Sequence, residues 1–378
     1  MATGRKLKVA IVHDWLIGGG AERVVQALHE MFPDAPIYTS YATDEWREKL
    51  DGKVVTGFLQ RWPFPKLRKF VGVFRIWWFG HLDFSDYDLV ISSSGNGEAF
   101  GIKTSGNTKH ICYCHTPTHY YWRHYNQYMK RPGFGTFDPL ARVGLKMLLG
   151  PLRRWDYKAA QRPDLFVANS THIQSDIKTY YDRDSVVVHP PIDLERFEQE
   201  PVVKRDGFVT IGRLAAAKHV DVLIEACNRL KLPLTVIGNG PDYDRLAKIA
   251  GPTITFLGKA TNTFVSDAEI PAHLKKAQAF LFASFDDFGI VSAEALASGT
   301  PVIAYKAGGA LDYVEPGKTG LFFDQQTADS LCEVLQSFDS SAFDPAYIHQ
   351  FATQFSPENF KQHMHEHIDS LFSSTDKK

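Results

Sequence analysis

The sequence predicts an α/β protein built from two parallel-sheet domains, and three observations carry that expectation. Its 378 residues exceed what one core holds, because single hydrophobic cores seldom grow beyond about 250 residues. Short apolar, β-branched runs recur along the chain, spaced widely enough for a helix or a long loop between each pair. A charged, irregular stretch after His189-Pro190-Pro191 divides that series in two. Apolar residues at 44% and charged residues at 22% are globular proportions, so disorder of the whole chain is excluded.

In the first half, residues 8–13 (KVAIVH) form a β-branched run. Gly18-Gly19-Gly20 then leads into apolar positions at Ala21, Val24, Val25, Leu28, Met31 and Phe32. The change from a continuous run to an i, i+3, i+4, i+7 pattern marks strand, loop and amphipathic helix. Runs at 88–92, 109–114, 165–168 and 185–188 extend a parallel sheet. A linker is expected up to Asp206. The second series reads as strand 207–211, helix 220–230, strand 234–237, helix 243–250, strand 254–257 and helix 270–277. It continues with strand 279–283, helix 292–298, and strands 301–305 and 320–323, a second Rossmann-like sheet. Ser356 and Pro357 suit the cap and first turn of a last helix over 358–372.

Charge and cysteine usage narrow the function classes. Lys plus Arg number 42 against 43 for Asp plus Glu, so no uniform field attracts a polyanion and nucleic acid is not an expected partner. Cysteines at 112, 114, 227 and 332 show no framework spacing, and no apolar leader opens the chain. Both features suggest a reducing, cytoplasmic compartment. There is no apolar stretch of the roughly 18 residues that a membrane span needs. Residues 58–82, however, interleave Arg61, Lys66, Arg68, Lys69 and Arg75 with eight aromatics and no acid. Such a mixture suits either an anionic membrane surface or ordinary core. A second basic stretch (Arg142, Lys146, Arg153, Arg154, Lys158, Arg162) tips the balance towards the membrane.

Several residues could carry chemistry. The Gly18–Gly20 loop opens a helix, yet Arg23 stands where G-x-G-x-x-G requires glycine, so a nicotinamide site is disfavoured and a ligand-free turn is as good a reading as an anion contact. Arg213 and Lys218 lie between a strand end and a helix start, where two cations suit a diphosphate. In 284–295, Gly289 allows close backbone approach, the N–H groups of 289–291 open a helix, and Glu294 follows one turn later. Its carboxylate can accept two ribose hydroxyls, and Asp286 those of a sugar. His13 and Asp14 occupy a strand edge where an acceptor contact and a loop-capping role stay equally open. Three D-x-D strings (86–88, 182–184, 242–244) read as caps or solvated acids. His110, Cys112, Cys114 and His115 read as a buried thiol pair with neighbouring histidines, since no second zinc-ligand pair follows.

In sequence order, GRLAAAKHVDVLIEA (212–226), VIGNGPD (236–242), FLG (256–258), DDFGIVSAEALASGTPVIA (286–304) and GGALDYV (308–314) resemble the donor domain of retaining glycosyltransferases of family 4, which have the GT-B fold. GGGAERVV (18–25) and YCHTPTHYYW (113–122) add weaker matches, the latter similar to mannosyltransferases of bacterial surface polysaccharides. The resemblance implies two Rossmann-like domains facing a central cleft. Residues 1–195 would take the acceptor and 205–355 the donor, with helix 356–372 crossing back onto the first domain.

It further implies transfer of a sugar from a nucleotide diphosphate sugar to a hydroxyl of a glycan or lipid-linked acceptor. GDP-mannose is the first choice of donor and a UDP-sugar the second, with neither cofactor nor metal, at the inner face of the cytoplasmic membrane. Arg213 and Lys218 would hold the diphosphate, Glu294 the ribose and Asp286 the sugar. The backbone of Phe288, Gly289, Ile290 and Val291 would meet sugar and phosphate. His115 would sit near the sugar, Gly19 and Gly20 would admit diphosphate and acceptor, and the base would lie by Gly238 and the segment after Gly258, with Gly212 and Gly258 also binding the donor. Two departures stand out: Asp286 where the family usually has glutamate, and His119 where the mannosyltransferase motif usually has arginine. No protein nucleophile is evident, so retention implies attack from the leaving-group face. The competing expectations are an epimerase or hydrolase of the nucleotide sugar, and a non-catalytic binding partner.

Overall fold

Two parallel sheets organise the computed structural model, which describes residues 7–66, 72–123, 125, 129, 135, 138–197, 205–258 and 265–373. The first sheet contains β1 (Val9–His13), β2 (Ile37–Thr39), β3 (Val54–Thr56), β4 (Leu89–Ser94), β5 (Lys109–Cys114), β6 (Leu165–Ala168) and β7 (Ser185–Val187), in the order β3-β2-β1-β4-β5-β6-β7. Continuous burial of β1 and β4 follows from helices packing on both faces. These helices are α1 (Ala21–Met31), α2 (Asp44–Lys49), α3 (Gly72–Phe79), α4 (Asp138–Ala160) and α5 (Thr171–Tyr181). Ser170 caps α5 by accepting from the Ile173 N–H. The strand order reverses between β1 and β4, whose register sets His13 opposite Ser93. That edge is where doubly wound sheets bind ligands.

The second sheet repeats the plan with β8 (Phe208–Ile211), β9 (Leu234–Ile237), β10 (Ile254–Leu257), β11 (Ala279–Phe282), β12 (Val302–Tyr305) and β13 (Gly320–Phe323), in the order β10-β9-β8-β11-β12-β13. Its helices are α6 (Val220–Leu230), α7 (Tyr243–Ile249), α8 (Ile270–Lys276), α9 (Ile290–Ala297), α10 (Ala328–Ser337) and α11 (Pro345–Ala352). The last helix, α12 (Pro357–Ser373), buries Phe360, Met364 and Ile368 against Val24, Leu28 and Ile111 of the first core. By internal contacts, one compact unit runs to Pro191 and resumes at Phe360, and the other spans Ile192–Asn359.

Where structure and expectation differ, the reasons are local. Strands β2 and β3, of three residues each, are too short to show a period, and the 88–92 run becomes Leu89–Ser94 because its serines pair with β5. The helix expected at 292–298 begins at Ile290, since Gly289 takes the left-handed N-cap position at φ +92°. Arg68, Lys69 and Phe70, most of the 198–206 linker, and the tail after Ser373 lie outside the described residues. Among the described residues, no helix is long and apolar enough to cross a membrane.

Candidate active site

Beyond β8, the chain leaves the second sheet through Gly212 and exposed Arg213, then forms a single 3-10 turn (Ala216–Lys218) before α6. Lys218 sits at the end of that turn and sends its Nζ to both carboxylate oxygens of Asp286, at 2.6 and 2.7 Å. Asp286 lies on the loop after β11, the strand adjacent to β8 across the switch point, and also accepts from the Ser284 hydroxyl. The two residues assigned to diphosphate and sugar are thus ion-paired with each other. Ser284, which sequence reasoning passed over, orients the carboxylate; its only signal was its place at the end of an apolar strand.

Glycines hold this edge tight. Backbone of Gly308-Gly309 lies under the 286–288 loop, and the Gly309 N–H donates to the Asp286 carbonyl at 2.9 Å. The Phe288 side chain is core, edge-to-face with Tyr313 and Phe355, leaving its backbone for the loop surface. Ile290 and Val291 open α9 partly buried. Glu294, one turn on, is buried with Arg196 Nη1 at 3.7 Å from its carboxylate; that arginine was not singled out in the sequence. Gly212, Gly238 and Gly258 stack at the ends of β8, β9 and β10, linked by Gly212 N–H to Ile237 O at 3.0 Å and Gly238 N–H to Leu257 O at 2.9 Å. The segment after Gly258, expected to meet the base, lies outside the described residues.

At the edge of the first sheet, His13, Ser93 and His115 form a chain. The His13 Nδ1 is 2.8 Å from the Ser93 carbonyl, which can only accept, so His13 carries its proton there. The Ser93 hydroxyl lies 2.8 Å from His115 Nε2 and 3.1 Å from His13 Nδ1, and so links the two rings. Burial, helped by His13, pushes the His115 pKa down to about 3, so the ring is neutral at physiological pH. Asp14 is a loop cap: its carboxylate accepts from the N–H groups of Gly95, Asn96 and Ala99 at 2.7, 2.9 and 2.8 Å. The glycine loop is exposed at Gly19 and Gly20, but the N–H groups of Ile17 and Gly18 donate to the buried Glu22 carboxylate. Part of its anion-binding capacity is therefore used internally.

Five of the six acids of the D-x-D strings have local partners: Asp86 and Asp88 meet Lys8, Asp182 and Asp184 share Lys178, and Asp242 holds Arg245. Cys112 and Cys114 are buried free thiols.

Residues 18–196 match the family model described as Glycosyltransferase Family 4, and residues 191–342 the one described as Glycosyl transferases group 1. A phosphatidylinositol monomannoside mannosyltransferase of Mycobacterium tuberculosis, GDP-mannose-dependent and α-(1-6), is 29% identical over 175 residues, covering 39% of this chain and 44% of the relative. A GDP-mannose-dependent α-mannosyltransferase of Mycolicibacterium smegmatis is 38% identical over 119 residues, covering 31% and 30%. These alignments span less than half the length of the curated relatives. The solved structure of Anabaena Alr3699/HepE in complex with UDP superposes with a TM-score of 0.70 at 18% identity, covering 96% of this chain and 100% of that one. The paired Rossmann-like units therefore have the GT-B fold. With the two models meeting end to end across 18–342, the chain belongs to glycosyltransferase family 4.

Proposed function

We propose that the protein transfers a sugar, mannose from GDP-mannose in the first instance, to a hydroxyl of a lipid-linked or glycan acceptor, with retention and without a metal. The unit from Ile192 to Asn359 takes the donor and the unit from β1 to β7 the acceptor. The reading rests chiefly on the Lys218–Asp286 pair at the switch point of the second sheet, with Arg213 exposed on the same turn. Breaking the sugar–phosphate bond leaves a negative diphosphate and a positive anomeric carbon, so fixed cations gain strength as charge develops. An arriving diphosphate competes with Asp286 for Lys218. The freed carboxylate, held by Ser284, then accepts from sugar hydroxyls, while Glu294 accepts from the ribose. In the tautomer whose Nε2 accepts from Ser93, neutral His115 donates its Nδ1–H to the sugar without adding a positive charge beside the developing cation. The GDP-mannose-dependent relatives favour that donor, whereas the UDP-bound neighbour shares only the fold.

The test is nucleotide release from GDP-, UDP-, ADP- and dTDP-sugars, with and without a lipid extract, in EDTA, for the parent and Lys218→Ala. GDP release from GDP-mannose that needs the extract, survives EDTA and falls on the order of 100-fold in the variant is the expected result. Release without any acceptor would replace transfer by hydrolysis or epimerisation. Binding without turnover would reduce the protein to a nucleotide-sugar binder.

A further inference from the structure

Helix α4 is amphipathic in an unusual sense: along its first half, its apolar face is the exposed one. Leu140, Val143, Met147 and Leu148 follow i, i+3, i+7, i+8 and are 69%, 56%, 74% and 50% exposed, so they form one stripe. Among the described residues, a Cβ added at Gly144 or Gly150 would meet nothing within 4 Å outside the helix itself. Further along, the Trp155 ring packs on Gly101 and Asp156 accepts from Trp122, Thr118 and Tyr181, which ties the second half of the helix to the first unit.

A second exposed apolar group lies on α3 and the loop before it. Trp62 is 79% exposed, and Val73, Phe74 and Trp77 are more than half exposed. Phe58 and Phe64 brace it, through edge contacts with Trp77 and Phe74. Both helices pack on the same short turn, Ala99–Gly101: α4 through Trp155, and α3 through the buried Arg75–Glu98 pair at 2.8 Å just before the turn. The two groups thus belong to one framework. Between residues 139 and 155 there is no acid, nor is there one between 58 and 82, while Arg61, Lys66, Lys146 and Arg154 are exposed.

We infer that the first half of α4 and the exposed side of α3 form a docking surface for a bilayer containing anionic lipid. Leu140, Val143, Met147 and Leu148 enter the acyl boundary beside Phe74 and Trp77, and the lysines and arginines stay at headgroup level. Apolar side chains this exposed are costly in water, and their arrangement beside cations free of neighbouring acids suits lipid phosphate rather than a second, equally basic copy of this face. The inference deepens the lipid-linked acceptor proposed above, and it stands or falls separately, because vesicle binding needs neither donor nor acceptor.

The full chain should co-sediment with vesicles of phosphatidylcholine plus phosphatidylglycerol, bind phosphatidylcholine alone much more weakly, and dissociate as salt is raised. Val143→Glu/Met147→Glu, with unchanged circular dichroism and thermal midpoint, should lose roughly tenfold or more of that binding. Phe74→Glu/Trp77→Glu should lose a comparable amount, and Lys146→Glu/Arg154→Glu should flatten the salt dependence. Absence of binding by the parent overturns the inference, as does binding indifferent to the α4 pair. A parent that is dimeric, ignores vesicles and becomes monomeric in the α4 variant would make this face a self-association surface instead.

Discussion

At Gly238 an added Cβ would stand 1.9 Å from the Gly212 carbonyl oxygen, a backbone atom that cannot move without breaking the β8–β9 edge. At Gly212 itself the same atom would meet nothing within 4 Å. Both glycines have positive φ, at 150° and 155°, so each alanine is strained alike by its backbone and only Gly238→Ala adds a collision. Backbone strain of this kind costs about 1–3 kcal/mol, and overpacking adds about 1–3 kcal/mol more. Gly238→Ala should therefore destabilise the Ile192–Asn359 unit by roughly 2 kcal/mol more than Gly212→Ala, measured by urea unfolding. Equal losses would mean that the close approach carries no energetic weight. The pairing of Lys218 with Asp286 is a residue-scale fact of the other kind. The sequence shows both residue types but not that they meet, because the contact joins positions 68 apart through a strand crossover.

Among the elements, α12 shows how far pattern reading reaches. Its caps and its apolar spacing at Phe360, Met364 and Ile368 are visible in the chain, and the helix forms as expected. That these side chains fill the first core cannot be seen from spacing, since an amphipathic stripe names no partner; the resemblance supplied that expectation. Met364 is fully buried there. Met364→Ala should cost about 2–5 kcal/mol, lowering the unfolding midpoint of the first unit while nucleotide binding by the second persists at lower temperature. If both properties fail together, α12 is not a first-core element in energetic terms. Helices α10 and α11 were not expected although their signals are local: Thr327 and Asp344 cap them, and Ala328, Leu331 and Leu335, with Ile348 and Ala352, are their buried apolar positions. The residues proposed for the donor stood out because glycine and charge at strand ends are local signals. Ser93, Ser284 and Arg196 did not, since each matters through a contact distant in sequence.

Across the whole molecule, the buried titratable groups concentrate in the first unit, and they oppose one another. Burial pushes His110 down to about 3, with Arg162 and Arg183 nearby adding to the effect, and burial does the same for His115. His172, less buried, is lowered to about 4 by burial and by Arg123. All three bind protons more readily unfolded, so they withdraw stability as pH falls from about 6.5. Burial raises Glu98 to about 7 against the pull of Arg75, and Asp156 to about 6. These two bind protons more readily folded, so they add stability as pH falls from those values, and stop adding near the ordinary carboxyl range of about 4. At about 1.4 kcal/mol for each tenfold difference in proton affinity between folded and unfolded chain, the three histidines outweigh the two carboxyls between pH 7 and 5, and below about pH 4.5 only the histidine loss continues to grow. The first unit should lose urea midpoint gently from pH 7 to about 5 and steeply below about 4.5, with hydrogen exchange at β4 and β5 amides following the same course. His110→Asn removes one of the histidine contributions, so this variant should stay nearly level on going from pH 7 to 5, where the parent declines. A variant whose pH slope matches the parent's would show that His110 is not held neutral by its burial, and that the balance of the first unit lies in other groups.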